Sequence, residues 1–166
     1  VKCFIAWSLA KNPQSKFIHL SYSDDLALDN SSQTKEYIES EAFQKFWNME
    51  LKKDAQGKKK WFNKDGGGVY ATASGGAITG FGAGVAESKE FSGAIIIDDP
   101  LKPDDASSEA RRNSVNERYN NTIRSRVNDR DTPIILIMQR LHEDDLSGYL
   151  LNGGSGEVWE HLCLPA

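Results

Sequence analysis

The segment that most constrains the fold is Gly93–Pro100, in which three isoleucines run directly into two aspartates and a proline. A continuous apolar run of this kind indicates a strand buried on both faces, as in a parallel sheet. Acidic side chains at the carboxyl end of such a strand lie where open α/β sheets bind ligands. One carboxylate can hold a divalent cation there while the other polarises a water molecule. A buried strand whose acids only begin a turn, stopped by Pro100, explains the same residues.

Length and composition are those of one globular domain. The 166 residues are enough for a single core, and 39% hydrophobic with 27% charged residues is ordinary for such a domain. No apolar run approaches the roughly 20 residues of a membrane-spanning helix, so no membrane partner is expected. Cys3 and Cys163 lie at opposite ends of the chain without metal-ligand spacing, and both are predicted to be reduced thiols.

The net charge of −4 gives no overall electrostatic signal for nucleic acid. A local signal exists beside Trp61, where five lysines cluster. They are Lys52, Lys53, Lys58, Lys59 and Lys60. A solvated hairpin tip and a DNA contact both explain this cluster.

Strand and helix patterns alternate along the chain, which predicts an α/β domain with a mainly parallel sheet flanked by helices. Strands are expected over 16–21, 59–63, 69–74, 94–98, 134–138 and 158–164. Helices are expected over 1–9, 24–40, 41–47, 107–128 and 144–151, and the first of them has no capping residue before it. Asp24 and Asp144 are the predicted caps of their helices. The turn at 65–68 is expected to join two strands as a hairpin.

A glycine-rich stretch, residues 75–84, precedes the acidic strand. A phosphate-binding Walker A loop requires Gly-x-x-x-x-Gly-Lys-Ser/Thr, because its lysine contacts the β- and γ-phosphates. Residues 75–84 contain no lysine, and the chain's Gly-Lys pair, Gly57-Lys58, continues into Lys59. The sequence thus has an acidic strand end without a phosphate-binding loop.

The order of several motifs resembles the ATPase region of phage terminase large subunits, the motors that package DNA. The matching pieces are SYSDDLA from Ser21, the loop Tyr70–Gly82 with GGAITG, the Walker B-like IIDDP from Ile96, and Ile135–Leu151 with QRLHEDDL. The resemblance covers nearly the whole chain in the family's order. It implies a P-loop NTPase-like fold of the ASCE class that is incomplete at its N-terminal side. Residues 1–166 would be a partial motor domain, without the Walker A segment and the C-terminal nuclease domain.

The resemblance also implies the roles of individual residues. Asp98 would help to hold Mg²⁺ through water, and Asp99 would orient or deprotonate the water that attacks ATP. The family often has Glu at the second position, and the shorter side chain of Asp99 would place its carboxylate about one C–C bond closer to the backbone. Gln139 and Arg140 would sense the γ-phosphate and couple hydrolysis to movement; the alternative is that both are surface residues at a strand end.

Two further positions are interpreted against the family pattern. Phe81 stands where the family often has an arginine that contacts a neighbouring subunit's nucleotide, and Arg124 or Arg126 would be substitutes unless they form salt bridges. The cluster His142–Asp145 is expected to cap a helix and not to bind a metal, since consecutive residues on a turn do not converge on one ion.

The expected function is therefore part of the ATP-hydrolysing motor that drives double-stranded DNA into the capsid, with ATP and Mg²⁺ as cofactors. The expected partners are DNA, the portal protein, the small terminase subunit and further copies in a ring, in the cytoplasm of the bacterial host. The fragment alone is expected to be inactive. Two alternatives stay open: a non-catalytic assembly module, and a two-metal nuclease using Asp98 and Asp99.

Overall fold

A single six-stranded sheet organises the molecule, in the order β2-β3-β4-β1-β5-β6. The computed structural model describes residues 1–164, with the backbone alone for Ala55 and Gln56. The strands are β1 (Lys16–Ser21), β2 (Leu51–Gln56), β3 (Lys60–Asn63), β4 (Gly68–Ala73), β5 (Ile95–Asp98) and β6 (Ile134–Ile137).

The sheet is mixed, so the prediction of a mainly parallel sheet is wrong. β4, β1, β5 and β6 run parallel to one another, whereas β2 and β3 extend the sheet from β4 by antiparallel pairing. The cause is local, because the turn between β3 and β4 is too short for the crossover that parallel strands need. Gly66 in this turn has a φ of 93°, which glycine adopts without steric cost. This hairpin was predicted, but β2 was not.

Helices cover both faces of the sheet. They are α1 (Lys2–Lys11), α2 (Asp24–Glu39), α3 (Glu41–Phe46), α4 (Glu109–Arg118) and α5 (Leu146–Leu151). A π-helical turn and a 3₁₀ turn continue α4 as far as Arg126, so the predicted helix over 107–128 is confirmed as an irregular one. No helix in the described part of the chain is long and apolar enough to cross a bilayer.

Side chains of the central strands point alternately to the two faces of the sheet and contribute to an apolar core on each face. On the first face Phe17 and Ile96 pack with α1 and α2, and the indole of Trp61 donates a hydrogen bond of 2.9 Å to Ser31 of α2. On the second face Leu20 and Ile97 pack with the residues of the α4 extension and α5. The result is a three-layer α/β arrangement in which β4, β1 and β5 contribute side chains to both cores.

Three local predictions are corrected. Ser23 rather than Asp24 caps α2, because its side chain accepts the amide hydrogen of Leu26 at 3.3 Å. Asp145 rather than Asp144 caps α5. Residues 158–164 form no strand, and the last two residues of the chain lie outside the described part.

The open edge of the sheet is β6. This strand consists of Ile134, Ile135, Leu136 and Ile137 and pairs with β5 on one side only. Its residues are half-buried, and Ile137 is 45% exposed, although such a run is typical of a strand buried on both sides. A cavity of about 560 Å³ lies between β6, α5 and the irregular segment 159–164.

Candidate active site

The carboxyl ends of four parallel strands meet at one edge of the sheet. Ser21 at the end of β1 lies opposite both Ala73 of β4 and Asp98 of β5, and Asp98 lies opposite Ile137 of β6. The acidic pair at the end of β5 and the polar pair that follows β6 therefore come from neighbouring strands. This edge is where an open α/β sheet binds its ligand.

Asp98 points toward the face that carries α1 and α2, since side chains alternate along the strand and Ile96 belongs to that core. Its Oδ2 is 3.5 Å from Nδ2 of Asn30 on α2 and 3.9 Å from Nε2 of His19 on β1. The carboxylate is 21% exposed, so it is neither sealed in the core nor fully solvated. Asn30 orients one oxygen and leaves the other for a ligand.

His19 was missed by the sequence analysis. It is fully buried in the middle of β1, and neither ring nitrogen has a hydrogen-bond partner among the described residues. The buried hydroxyl of Ser21, two residues further along the same face, has none either. Polar residues at alternate positions of an otherwise apolar strand, Phe-Ile-His-Leu-Ser, were the signal for a polar site on this face.

Asp99 is exposed and adopts a left-handed backbone conformation, with a φ of 46°. Two backbone hydrogen bonds hold it there: its N–H donates to Ile137 at 2.9 Å, and its carbonyl accepts from Tyr22 at 2.9 Å. Asp is tolerated in this region, but the residue before a proline normally favours an extended conformation. The strand neighbours therefore impose a strained backbone at this residue, as is common at functional sites.

Gln139 and Arg140 follow β6 at the same edge, and both are exposed. The guanidinium of Arg140 is turned away toward α5, where its Nε lies 3.3 Å from Oδ1 of Asp145. The same group donates to the carbonyl of Glu143 at 3.2 Å. Gln139 thus lies at the same edge of the sheet as Asp98 and Asp99, whereas the side chain of Arg140 contacts the turn before α5.

The His142–Asp145 cluster caps a helix, as the sequence predicted, with Asp145 as the capping residue. Its buried carboxylate accepts amide hydrogens from Leu141, His142 and Gly148 at 2.9, 3.2 and 2.9 Å. Asp144 is solvent-exposed. Within residues 1–164, no three His, Cys, Asp or Glu side chains form a group that could hold a metal ion.

The glycine-rich loop after β4 is held by side chains that donate to its carbonyl groups. Arg118 of α4 donates to Ser74 at 3.1 Å and to Gly76, and Tyr70 donates to Ala77 at 2.9 Å. Asp24 accepts from Thr72 and from the Ala73 amide, and these bonds, the amide first, hold the pKa of its carboxyl below the usual range.

Phe81 and the two arginines that could substitute for an arginine at its position, Arg124 and Arg126, lie in different surroundings. Phe81 is buried against Phe62 and Tyr70. Arg124 pairs with Glu157 at 3.7 Å, which agrees with a salt-bridge role. Nε of Arg126 is buried without a hydrogen-bond partner among the described residues.

The donor set at Asp98 fits a magnesium ion held through water. Mg²⁺ is usually bound by one or two carboxylates together with several water molecules and substrate phosphates. Asp98 supplies one partly exposed carboxylate, and the unpartnered hydroxyl of Ser21 lies on the adjacent strand. No known protein-family model and no curated protein matches this chain.

Proposed function

We propose that this chain is part of the ATP-hydrolysing motor domain of a phage or prophage terminase large subunit, which drives double-stranded DNA into the capsid. The observation that carries the proposal is the shared edge of β5 and β6. Asp98 and Asp99 lie at the end of one parallel strand, and Gln139 follows the neighbouring strand. The two motifs occur in the order that resembles the family. An acid pair beside a polar sensor at one sheet edge suits nucleotide hydrolysis.

The open edge of β6 supports a P-loop NTPase-like fold with one more strand. A half-exposed strand of four branched apolar residues is an unfavourable sheet edge, and pairing with another strand would bury it. The cavity between β6 and residues 159–164 lies on that side. We propose that the strand and phosphate-binding loop of a segment before Val1 fill this place, so that the sheet continues beyond β6.

The proposed roles of the site residues come from the resemblance, and the positions of the residues are compatible with them. Asp98, oriented by Asn30, would hold magnesium through water, and the ion would neutralise charge on the nucleotide phosphates. Asp99, exposed at the strand end, orients the attacking water and accepts its proton. Gln139 is the proposed γ-phosphate sensor. Arg140 reaches a nucleotide only after leaving Asp145, so its proposed role is to link the end of β6 to α5.

The proposed partners follow from the motor. They are double-stranded DNA, the portal protein, the small terminase subunit and further copies of the chain in a ring, all in the cytoplasm of the bacterial host.

The decisive experiment starts with the coding DNA immediately upstream of the Val1 codon. We expect a Gly-x-x-x-x-Gly-Lys-Ser/Thr motif there, and the extended protein should hydrolyse ATP while the 166-residue chain does not. Asp98→Asn and Asp99→Asn in the extended protein should each lower kcat at least about 100-fold. Asp104→Asn, an exposed carboxylate paired with Lys102, is the matched control and should leave kcat unchanged.

Three outcomes would contradict the proposal. A reading frame that starts at Val1 would favour the non-catalytic assembly module. Metal-dependent DNA cleavage by this chain, abolished by Asp98→Asn, would favour the two-metal nuclease. Robust ATP turnover by the 166-residue chain would show that the missing phosphate loop is not needed.

A further inference from the structure

The hairpin of β2 and β3 carries a concentration of positive charge in an acidic chain. Residues 50–64 contain six lysines and two carboxylates, whereas the whole chain has a net charge of −4. Glu50, one of the two carboxylates, already pairs with Lys64. Most of this positive charge is therefore not neutralised within the hairpin.

Three of these lysines lie on the same face of the sheet, above a layer of aromatic rings. Nζ of Lys60 is 5.4 Å from the ring centre of Phe62 and 5.8 Å from that of Phe81. Nζ of Lys52 is 6.0 Å from Phe62, and Nζ of Lys59 is 5.8 Å from Tyr70. We call Lys52, Lys59 and Lys60 the lysine face.

The rings beneath the lysine face support the lysines and do not offer a stacking platform. Phe81 lies 5.8 Å from Phe62 and 5.7 Å from Tyr70, measured between ring centres, and both Phe81 and Tyr70 are buried. Cation–π contacts of this kind hold an ammonium group near a fixed position without removing it from water. Phe62 is half-buried, so a ligand on this face meets the ammonium groups before the rings.

The ammonium groups of the lysine face are available to a ligand. Among the described residues none of the three forms an ion pair, and Lys59 and Lys60 are exposed. The carboxylate of Asp24 partly offsets the charge of Lys59, which is close enough to contribute to the lowered pKa of Asp24. The binding capacity of the face is thus centred on Lys52 and Lys60.

A cleft continues the positive surface beyond Phe62 and Phe81. It has a volume of about 450 Å³, and Lys16 and Arg126 lie in its wall. Nε of Arg126 is buried there without a hydrogen-bond partner among the described residues. Arg126 as a whole is half-buried in the cleft wall, and a guanidinium that has an unpartnered donor is suited to binding phosphate oxygens.

We propose that the lysine face, together with Lys16 and Arg126, binds the sugar–phosphate backbone of duplex DNA. The positive charge and the burial of Phe81 and Tyr70 favour backbone contacts over base stacking. The choice of duplex DNA as the polyanion rests on the proposed function. The surface is built from β1, β2, β3 and the loops beside them, and it is separate from the acidic pair.

The test is the binding of a short fluorescein-labelled duplex to the 166-residue chain, measured by fluorescence anisotropy at several salt concentrations. The variant Lys52→Gln/Lys59→Gln/Lys60→Gln should weaken binding at least about tenfold at low salt. It should also reduce the slope of log K against log salt by about 2 to 3, since each lost phosphate contact removes about 0.9.

Two control variants distinguish the effect of the lysine face from a change in net charge and from misfolding, and a third variant tests Arg126. Lys11→Gln/Lys45→Gln/Lys89→Gln removes the same charge from exposed positions elsewhere and should leave both affinity and slope near the unchanged protein's values. Lys52→Arg/Lys59→Arg/Lys60→Arg keeps the charge and should retain binding. Arg126→Gln should weaken binding further in combination with the first variant.

The proposal is overturned if the first variant and the Lys11/Lys45/Lys89 control lose affinity equally, or if the unchanged chain does not bind duplex. Tighter binding to single-stranded DNA of equal length, or to anionic lipid vesicles, also overturns it. These results are independent of ATP turnover. Loss of the ATPase proposal with duplex binding retained, or the reverse, therefore shows which of the two failed.

Discussion

The imidazole of His19 is fully enclosed beside the carboxylate of Asp98, and both of its nitrogens lack partners among the described residues. A buried polar atom without a hydrogen bond costs about 1–3 kcal/mol. His19→Leu removes both such atoms at a position between Ala71 and Ile96 in the sheet. We expect it to raise the free energy of unfolding in urea by about 1 kcal/mol.

The same substitution at the exposed His161 is the control for this experiment, and it should change stability by less than about 0.5 kcal/mol. A destabilised His19→Leu protein would mean that the imidazole does make stabilising hydrogen bonds. A stabilised one indicates a histidine whose position beside Asp98 serves the site and not the fold.

The left-handed backbone of Asp99 is the second residue-scale feature with a measurable consequence. Glycine adopts a φ of 46° freely, whereas a side chain with a Cβ is disfavoured there by about 1 kcal/mol or more. Asp99→Gly should therefore be at least as stable as the unchanged protein. Asp99→Ala, which removes the carboxylate but keeps the Cβ, should unfold about 1 kcal/mol more easily than the glycine variant. Equal stability of the two variants in urea would contradict a strained residue 99.

At the scale of elements, α5 depends on one buried carboxylate. Asp145 accepts three amide hydrogens and contacts the guanidinium of Arg140, so Asp145→Ala leaves several donors without an acceptor. We expect a loss of about 2 kcal/mol in the free energy of unfolding, measured with urea. Asp144→Ala, at the exposed neighbouring position, should cost less than about 0.5 kcal/mol. Similar losses for both variants would contradict this assignment of the cap.

How far the sequence predicts an element depends on how local its cause is. β1 was predicted over 16–21, where the structure has it, because a short segment with Phe, Ile and Leu between turn residues favours a strand by itself. β2 was missed because Leu-Lys-Lys-Asp-Ala-Gln is poor in strand-forming residues, and pairing with β3 forms it. The two caps were each predicted one residue away, since several neighbouring side chains can cap and the backbone selects one.

The candidate site was predictable to the same extent. Parallel strands end at one edge, so the common location of Asp98, Asp99 and Gln139 followed from the order of the strands. The contacts of His19 and Asn30 with Asp98 depend on the register of β1 with β5 and on the packing of α2. No local pattern contains that information.

At the scale of the whole molecule, the open edge of β6 should control association. Its apolar side chains and unpaired backbone groups are suited to pairing with the same edge of a second copy. We expect the 166-residue chain to self-associate with rising concentration, as measured by sedimentation velocity. Ile137→Lys places a charge on this edge, where the isoleucine is 45% exposed, and should shift the protein to monomer.

Val158→Lys is the matched control for Ile137→Lys. It introduces the same charge in place of a β-branched apolar side chain, but Val158 is fully exposed and lies outside β6. It should leave the association unchanged. If both variants become monomeric, exposed apolar surface in general drives association and the edge has no special role. In the upstream-extended protein we expect Ile137→Lys to have no effect on association, because the added segment covers β6. This result would link the association of the 166-residue chain to the proposed completion of the sheet.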